Sequence, residues 1–416
     1  MARTGLLLVA LVAAWSGPAV PADWSLSGNV SERLTLDTNP TLDPEDAGDL
    51  RFGSTTTGRL TLGMSTPRTR ALLSTGLSAT YYVGGDDDDN DDSLDGIRPN
   101  LNARVQHQGL RYTATGSARI DVRSTDFTEL RDILAEDDEI DVPDAPTDVV
   151  VDTVRVDDET DEIFSSVSGS VSLRLSPRNT LSLGASASFV RFAESVPRVS
   201  SSDNFGASLS FSRTLSPISS TGLSLSALRF SSKQLESPEA SDGYNLSLAA
   251  NYGSRLAPDV PISGSLGVSW TTRTEDILLE PFGIILRSEE DTIGATGSLS
   301  LSFDYPDSRF RLSASQRVQP SSDGDVRNVS RIGIGYAHSL TPRLSLSLSG
   351  SYVAETEVGF EGDVRHLYSV GPTLSYDLGR NWSASLSYRL RGDNDEAGSA
   401  ISNQLGLTVS RSLDFF

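Results

Sequence analysis

The feature that most limits the fold of this chain is an alternation of apolar and polar residues with a period of two, repeated along the sequence. Leu344, Leu346 and Leu348 are separated by single serines, and Trp382 and Tyr388 bracket a similar alternating run. Because successive side chains of an extended chain point to opposite faces, each such segment is predicted to be a β-strand with one apolar and one hydroxyl-rich face. Aromatic residues at the two ends of the apolar band are typical of strands that cross a membrane.

Connections of two lengths separate the predicted strands. The short ones are rich in proline, glycine and asparagine, and proline both presets a turn and cannot donate to a sheet ladder. The long ones are acidic, and Asp276–Glu289 is one of them. The pattern predicts an all-β fold, a transmembrane antiparallel up-and-down β-barrel of about 18 strands, within a range of 16 to 18, with short periplasmic turns and long acidic outer loops. The predicted short turns are Thr66–Arg68, Gln108–Gly109, Pro177–Asn179, Pro217–Ser219, Pro258–Pro261, Pro306–Ser308, Thr341–Arg343 and Gly379–Asn381.

The first residues of the chain have the pattern of a secretory signal peptide. Arg3 precedes an apolar run from Leu6 to Trp15, and small residues end the segment at Ala22. This run is too short to span a bilayer as a helix. We therefore predict a signal peptide at 1–22 and one barrel domain at 23–416. The absence of cysteine fits an exported protein whose sheet closes on itself and needs no disulfide.

Charge is unevenly distributed between the two faces and the loops. The net charge of −22 argues against nucleic acid as a partner, because phosphates demand the opposite sign. The acidic residues concentrate in the outer loops, whereas arginine recurs on the hydroxyl-rich face. One interpretation is that these arginines keep the interior wet and pair with loops that fold in; the other is a path that favours anions. The predicted pore-lining residues are Arg51, Arg59, Arg70, Arg104, Arg111, Arg119, Arg174, Arg273, Arg317, Arg331 and Arg389.

The third outer loop, residues 124–162, is the longest and is strongly acidic. In this respect the chain resembles the general porins, in which the third loop bends into the barrel and narrows it. The hypothesis is that Glu129, Asp132, Glu136 and Asp137 form an acidic side of such a constriction, opposite arginines of the wall. The alternative is a disordered acidic segment outside the barrel.

Motifs for catalysis or metal binding are not predicted. The run Asp86–Asp92 offers carboxylate oxygens for calcium, but it lacks the spacing and glycine of a helical calcium loop, so a solvated loop is preferred. His107, His338 and His366 share the apolar phase of their strands, which is a poor place for a catalytic base. The sequence has no Gly-x-Ser-x-Gly elbow and no cysteine nucleophile. We therefore predict no enzymatic activity, no cofactor and no metal.

The end of the chain resembles that of Gram-negative outer-membrane β-barrel proteins. Apolar residues alternate toward a terminal Phe415–Phe416. In that class a terminal aromatic on the last strand is read by the barrel-assembly machinery, so the resemblance implies that Phe415 or Phe416 carries this signal. It also implies a location in the cell outer membrane, in contact with the lipid bilayer and lipopolysaccharide.

The opening strand, Val30–Asn39, the threonine-rich segment after it and the turn at Pro67–Arg68 are similar to β-barrel porins found with exopolysaccharide-export systems. The predicted function is a passive channel for hydrophilic, and in particular anionic, solutes or for an exported polysaccharide. The alternative is a non-conducting structural barrel whose acidic loops bind a partner. A secreted β-solenoid would show a short fixed repeat, whereas the connections here alternate between short and long.

Overall fold

The computed structural model describes residues 22–39, 42, 50–83, 94–124, 161–192, 200–234, 240–279, 284–320, 326–357, 364–395 and 398–416. The predicted signal peptide, except for Ala22, lies outside the described residues. Among the described residues no helix is long and apolar enough to cross a membrane.

The described chain consists of long antiparallel strands joined by turns and loops. Their bounds are β1 Asp23–Asp37, β2 Arg51–Ser65, β3 Thr69–Val83, β4 Leu94–Gln108, β5 Tyr112–Ser124, β6 Asp161–Arg174, β7 Asn179–Phe192, β8 Ser200–Ser216, β9 Ser219–Gln234, β10 Ala240–Ala257, β11 Val260–Leu279, β12 Ile284–Asp304, β13 Ser308–Pro320, β14 Val326–Thr341, β15 Leu344–Glu357, β16 Val364–Gly379, β17 Trp382–Asn394 and β18 Ser399–Asp414.

Each strand pairs with its neighbours in sequence, and the last strand pairs with the first. The closing ladder between β1 and β18 runs from Ser27, opposite Asp414, to Asp37, opposite Gln404. Beyond it, the Phe415 N–H donates to the Leu26 carbonyl at 2.9 Å, and the Leu26 N–H donates to the Phe416 carbonyl at 2.9 Å. The prediction of an up-and-down barrel with about 18 strands is confirmed: the sheet has 18.

The short connections fall where the prolines, glycines and asparagines predict them. In the turn between β16 and β17, Arg380 and Asn381 have φ of 55° and 65°. Positive φ at both central residues of a two-residue hairpin turn matches the twist of the flanking strands. At Thr66, the hydroxyl group accepts a hydrogen bond from the Thr69 N–H at 2.9 Å and closes that turn.

One predicted outer loop is wrong. Asp276–Glu289 is largely strand, because β11 and β12 remain paired up to Leu279, opposite Ile284. The charged residues of this stretch indicated a loop. However, strand pairing uses backbone groups, so charged side chains are tolerated where the hairpin projects beyond the apolar band.

The apolar phase forms a continuous band around the barrel. Leu209, for example, lies opposite Leu183 on one side and Leu225 on the other. The side chains that are almost fully buried include Val353, Leu367 and Ser402, and these lie on the opposite, hydroxyl-rich phase. Side chains of non-adjacent strands meet only on the concave side of a closed sheet, so the hydroxyl-rich phase faces the lumen and the apolar band faces outward.

Charged and aromatic residues on the outward face occupy defined positions. The Glu32 carboxylate accepts hydrogen bonds from the Ser54 and Thr56 hydroxyl groups at 2.5 Å each. The Arg411 guanidinium lies 5.3 Å from the ring centroid of Trp382. Hydrogen bonds from hydroxyl groups and contact with an aromatic ring thus stabilise charged side chains whose exposure to lipid would otherwise destabilise the barrel.

The three histidines lie on the outward face beside tyrosines. His107 is next to Tyr112, His338 is stacked on Tyr336, and His366 is stacked on Tyr352. Such rings at strand ends form the girdles that flank an apolar band. The architecture is therefore that of an outer-membrane β-barrel.

A charge placed on the outward face should cost far more than one placed in the lumen. We expect Leu209→Arg to lower the free energy of unfolding in a bilayer by about 2 to 4 kcal/mol, because its position is near the middle of the apolar band. Ser210→Arg, one residue along on the lumen face, is the matched control and should cost less than about 1 kcal/mol. Urea unfolding in liposomes measures both, and equal costs would contradict the assignment of the two faces.

Candidate functional site

The candidate functional site is the lumen wall, which is lined mainly by hydroxyl and guanidinium groups. Neighbouring strands exchange hydrogen bonds between side chains at several levels. Ser117 and Ser168 lie 2.7 Å apart through their Oγ atoms, as do Ser265 and Ser298. Because each hydroxyl both donates and accepts, the wall stays polar without carrying charge.

Ten of the eleven predicted pore-lining arginines lie on strands, in the phase that faces the lumen. Arg59 lies opposite Asn29 and Arg104 opposite Ser117, both on the hydroxyl-rich phase. Arg111 does not lie on a strand, because β5 begins only at Tyr112, and it occupies the turn after β4. The lumen-facing arginines of this set are Arg51, Arg59, Arg70, Arg104, Arg119, Arg174, Arg273, Arg317, Arg331 and Arg389.

Sequence reasoning missed several lumen-facing charges. Arg33 faces the lumen opposite Thr55, and its Nη2 donates to Gln404 Oε1 at 3.5 Å. Asp37 and Asp393 also face the lumen. The alternation alone places both aspartates in the lumen. However, the acidic and glycine-rich stretches Thr38–Asp49 and Gly392–Ala397 favour outer loops, and Asp37 adjoins the first while Asp393 lies inside the second.

The most enclosed charge network joins the first strand to the last two. Arg391 Nη2 donates to Asp37 Oδ2 at 2.6 Å and to Ser402 Oγ at 3.0 Å. Ser402 Oγ donates to Asp37 Oδ1 at 2.5 Å, and Gln404 Nε2 donates to Asp37 Oδ2 at 3.0 Å. Asp37 is 4% exposed and Arg391 is 7% exposed. Both charges are therefore held by several hydrogen bonds in a site with little water.

Further ion pairs lie near the outer ends of the strands. Arg365 forms a bidentate ion pair with Asp393: its Nε donates to Oδ1 at 3.1 Å and its Nη2 donates to Oδ2 at 2.5 Å. In the same region Arg327 Nη1 lies 3.5 Å from Glu355 Oε2. These pairs neutralise part of the basic charge of the outer wall.

A second group of lumen arginines has no acidic partner among the described residues. None of them makes an ion pair within the described part of the chain, whereas Arg327, Arg365 and Arg391 do. Five of them add positive charge to the middle and lower lumen, whereas Arg317 lies near the outer end of β13. This group consists of Arg59, Arg70, Arg104, Arg174, Arg311 and Arg317.

The described residues that follow β1, among them Asn39 and Leu42, lie in the lumen. Leu42, with φ of 56°, is 6% exposed and belongs to a buried cluster with Val353 and Leu367. These two face the lumen from β15 and β16, several strands away from β1 around the ring. Asn39 is fully buried, and its backbone N–H donates to Asp37 Oδ1 at 3.2 Å. The ion pair of Asp37 and Arg391 therefore lies at the end of β1, next to the buried residues Asn39 and Leu42.

The outer ends of β13 and β14 also turn into the lumen. Val318 and Val326 form a buried cluster with Phe230 of β9. Phe230 faces the lumen, since it lies opposite Asn204 and Gly243. Two separate segments therefore narrow the outer half of the barrel.

The predicted acidic constriction residues Glu129, Asp132, Glu136 and Asp137 lie outside the described residues, as does the run Asp86–Asp92. Within the described ranges no group of three or more histidine, aspartate or glutamate side chains is placed to hold a metal ion.

Comparisons with known proteins find likeness in barrel shape alone. No protein-family model matches the sequence, and no curated protein matches it. Among solved structures, OccAB2 of Acinetobacter baumannii is 9% identical with a TM-score of 0.48, covering 95% of this chain and 98% of that one. OccK7 (OpdD) of Pseudomonas aeruginosa is 9% identical with a TM-score of 0.48, covering 96% and 100%. The outer membrane protein OpdK of Pseudomonas aeruginosa is 13% identical with a TM-score of 0.46, covering 94% and 99%. At these values the likeness identifies no solute and no site.

Breaking the ion pair of Asp37 and Arg391 from one side should destabilise the barrel strongly. We expect Asp37→Asn to lower the free energy of unfolding by about 3 to 5 kcal/mol, because Arg391 is then left buried without its counter-charge. Adding Arg391→Gln should recover part of this loss. A double-mutant cycle by urea unfolding in liposomes measures the coupling, and additive losses would show that the two side chains do not depend on each other.

Proposed function

We propose that the barrel is an outer-membrane channel that lets small hydrophilic solutes pass and favours anions. The observation that carries this proposal is the row of lumen-facing arginines without acidic partners among the described residues. Rings of basic side chains lower the barrier to anions in a polar pore and raise the barrier to cations. A closed sheet of 18 strands is wide enough to enclose water.

Three buried acidic residues near the outer rim do not oppose this preference. Asp37, Asp393 and Glu355 are each bound to an arginine and are almost fully buried. A carboxylate that is already paired adds little to the field a passing ion meets. The unpaired arginines deeper in the barrel then set the sign of the potential.

Small solutes are favoured over an exported polysaccharide as the cargo. Leu42 and the cluster of Phe230, Val318 and Val326 place two segments inside the outer half of the lumen. A polymer needs a continuous wide path, whereas small solutes need only gaps between such segments. If an acidic polysaccharide passed through the barrel as fast as small anions do, the polysaccharide would be the preferred cargo instead.

The competing proposal is a non-conducting barrel that acts through its acidic outer loops. The two inward-folded segments are the observation in its favour, because together they could seal the lumen. Single-channel recordings in planar bilayers distinguish the two: discrete conductance steps support the channel, and their absence with correctly folded protein supports the sealed barrel.

Removing the unpaired arginines should reduce the preference for anions. We expect the triple variant Arg59→Gln, Arg104→Gln and Arg311→Gln to lower the permeability ratio of chloride to potassium by about three-fold or more, because a favourable Coulomb term of about 1 kcal/mol is lost. Reversal potentials under a salt gradient measure this ratio. Arg411→Gln, which changes an outward-facing arginine, is the control and should leave it unchanged.

The third outer loop remains part of the proposal. If its acidic residues at 129–137 face the wall arginines across a narrowed waist, deletion of residues 127–160 should raise single-channel conductance. An unchanged conductance would instead place this loop away from the path.

A further inference from the structure

The ladder between β12 and β13 ends within the apolar band. The last pair is Gly297 opposite Gln316, whereas β12 stays paired with β11 up to Ile284. The apolar band reaches Trp270 and Ile293, beyond which Asp291 and Glu289 share the same face. Gly297 lies four residues below Ile293, about 13 Å along the strand. The seam therefore opens at the depth of the outer half of the bilayer.

Above this point β13 passes to the lumen side of β12. Gly294 shares the lumen phase, because it lies opposite Ser269. A Cβ atom built on Gly294 would come within 2.6 Å of Val318 Cγ2 and 3.9 Å of Val318 Cβ. Since that Cβ would point into the lumen, Val318 must lie over the inner surface of β12. A side chain at position 294 would exclude Val318 from this position.

Val318 is held there by an apolar cluster that spans several strands. Phe230 is 2% exposed and Val326 is 5% exposed. The Phe230 ring crosses Gly243, where a Cβ atom would lie 2.2 Å from Phe230 Cζ. Two glycines on the lumen face thus make room for the contact. As a result, an apolar surface lies inside an otherwise polar lumen, directly behind the open seam.

The open edge of β12 is unusual at this depth. Among the described residues, no strand pairs with the β13 side of β12 beyond Gly297. Backbone N–H and C=O groups that face hydrocarbon without a hydrogen-bond partner cost several kcal/mol each. Contact between this strand edge and lipid chains is therefore unfavourable. A polar or amphiphilic molecule at the seam would satisfy these groups.

We propose that the seam between β12 and β13 is a lateral passage, closed in this structure by Val318, through which a single-chain amphiphile with an anionic head moves between the outer half of the bilayer and the lumen. The cluster of Phe230, Val318 and Val326 provides the apolar surface for the chain. Arg317 is exposed, faces the lumen opposite Val329 and has no acidic partner among the described residues, so it is placed to receive the anionic head.

The test is a disulfide that locks the seam. The natural chain contains no cysteine, and the Cβ separation of 3.9 Å between positions 294 and 318 suits a disulfide. In the double variant Gly294→Cys and Val318→Cys, the second change removes the Cγ2 atom that a Cβ at position 294 would meet, so the disulfide fixes the tip of β13 where it already lies. The matched control is Ser313→Cys with Gly333→Cys, an opposed pair on β13 and β14 that leaves the seam untouched.

The probe is fluorescently labelled dodecanesulfonate, whose permanent charge prevents unaided crossing of the bilayer. Its arrival inside proteoliposomes is followed alongside chloride conductance in planar bilayers. We expect the disulfide to slow uptake of the probe about ten-fold or more, because the covalent bond prevents residue 318 from moving away from β12. A reductant should restore the rate, whereas chloride conductance and the control pair should be unaffected.

Each outcome decides the proposal. Unchanged probe transport with the disulfide verified by mass spectrometry would overturn it, as would transport by the wild-type protein no faster than in empty liposomes. An equal loss in the control pair would also overturn it. If the wild-type protein shows no chloride conductance, the proposed axial channel is rejected instead. The lateral route is not affected by that result, because a separate probe measures it.

Discussion

Backbone pairing around a closed ring is the constraint on which the rest of this structure depends. In hydrocarbon, every N–H and C=O group needs a partner within the protein, and a flat sheet would leave two edges open. Pairing of β18 with β1, extended by the hydrogen bonds between Leu26 and the final phenylalanines, removes those edges. Once the ring is closed, the phase of each residue decides whether its side chain meets lipid or the lumen.

The lumen has two electrostatic regions that follow from this division. Near the outer ends, arginines are bound to carboxylates, and these pairs join β16 to β17 and β17 to β1. Deeper in the barrel, Arg59, Arg104 and Arg311 have no such partner among the described residues. Arginine thus serves both as a structural tether and as the source of a positive field. The partner, rather than the residue type, determines which role it takes.

The period of two was sufficient to predict the fold and the strand number, because it is a local property of each strand. Turn chemistry was equally local and predicted the short connections. The inward course of Leu42 and of the tip of β13 could not be predicted, since it depends on contacts between strands far apart in sequence. Val318 even belongs to the outward phase of its strand. Its position inside the barrel follows only from Gly294 and Phe230.

The ion pair between Asp37 and Arg391 joins residues separated by 354 positions in the chain. Asp37 lies on the first strand, whereas Arg391 and its companion Ser402 lie on the last two. The binding site for the Asp37 carboxylate therefore does not exist until nearly the whole polypeptide has been inserted. Docking of the segment at Leu42 must be among the final events of biogenesis, and the mouth of the barrel takes shape only after its circumference is complete.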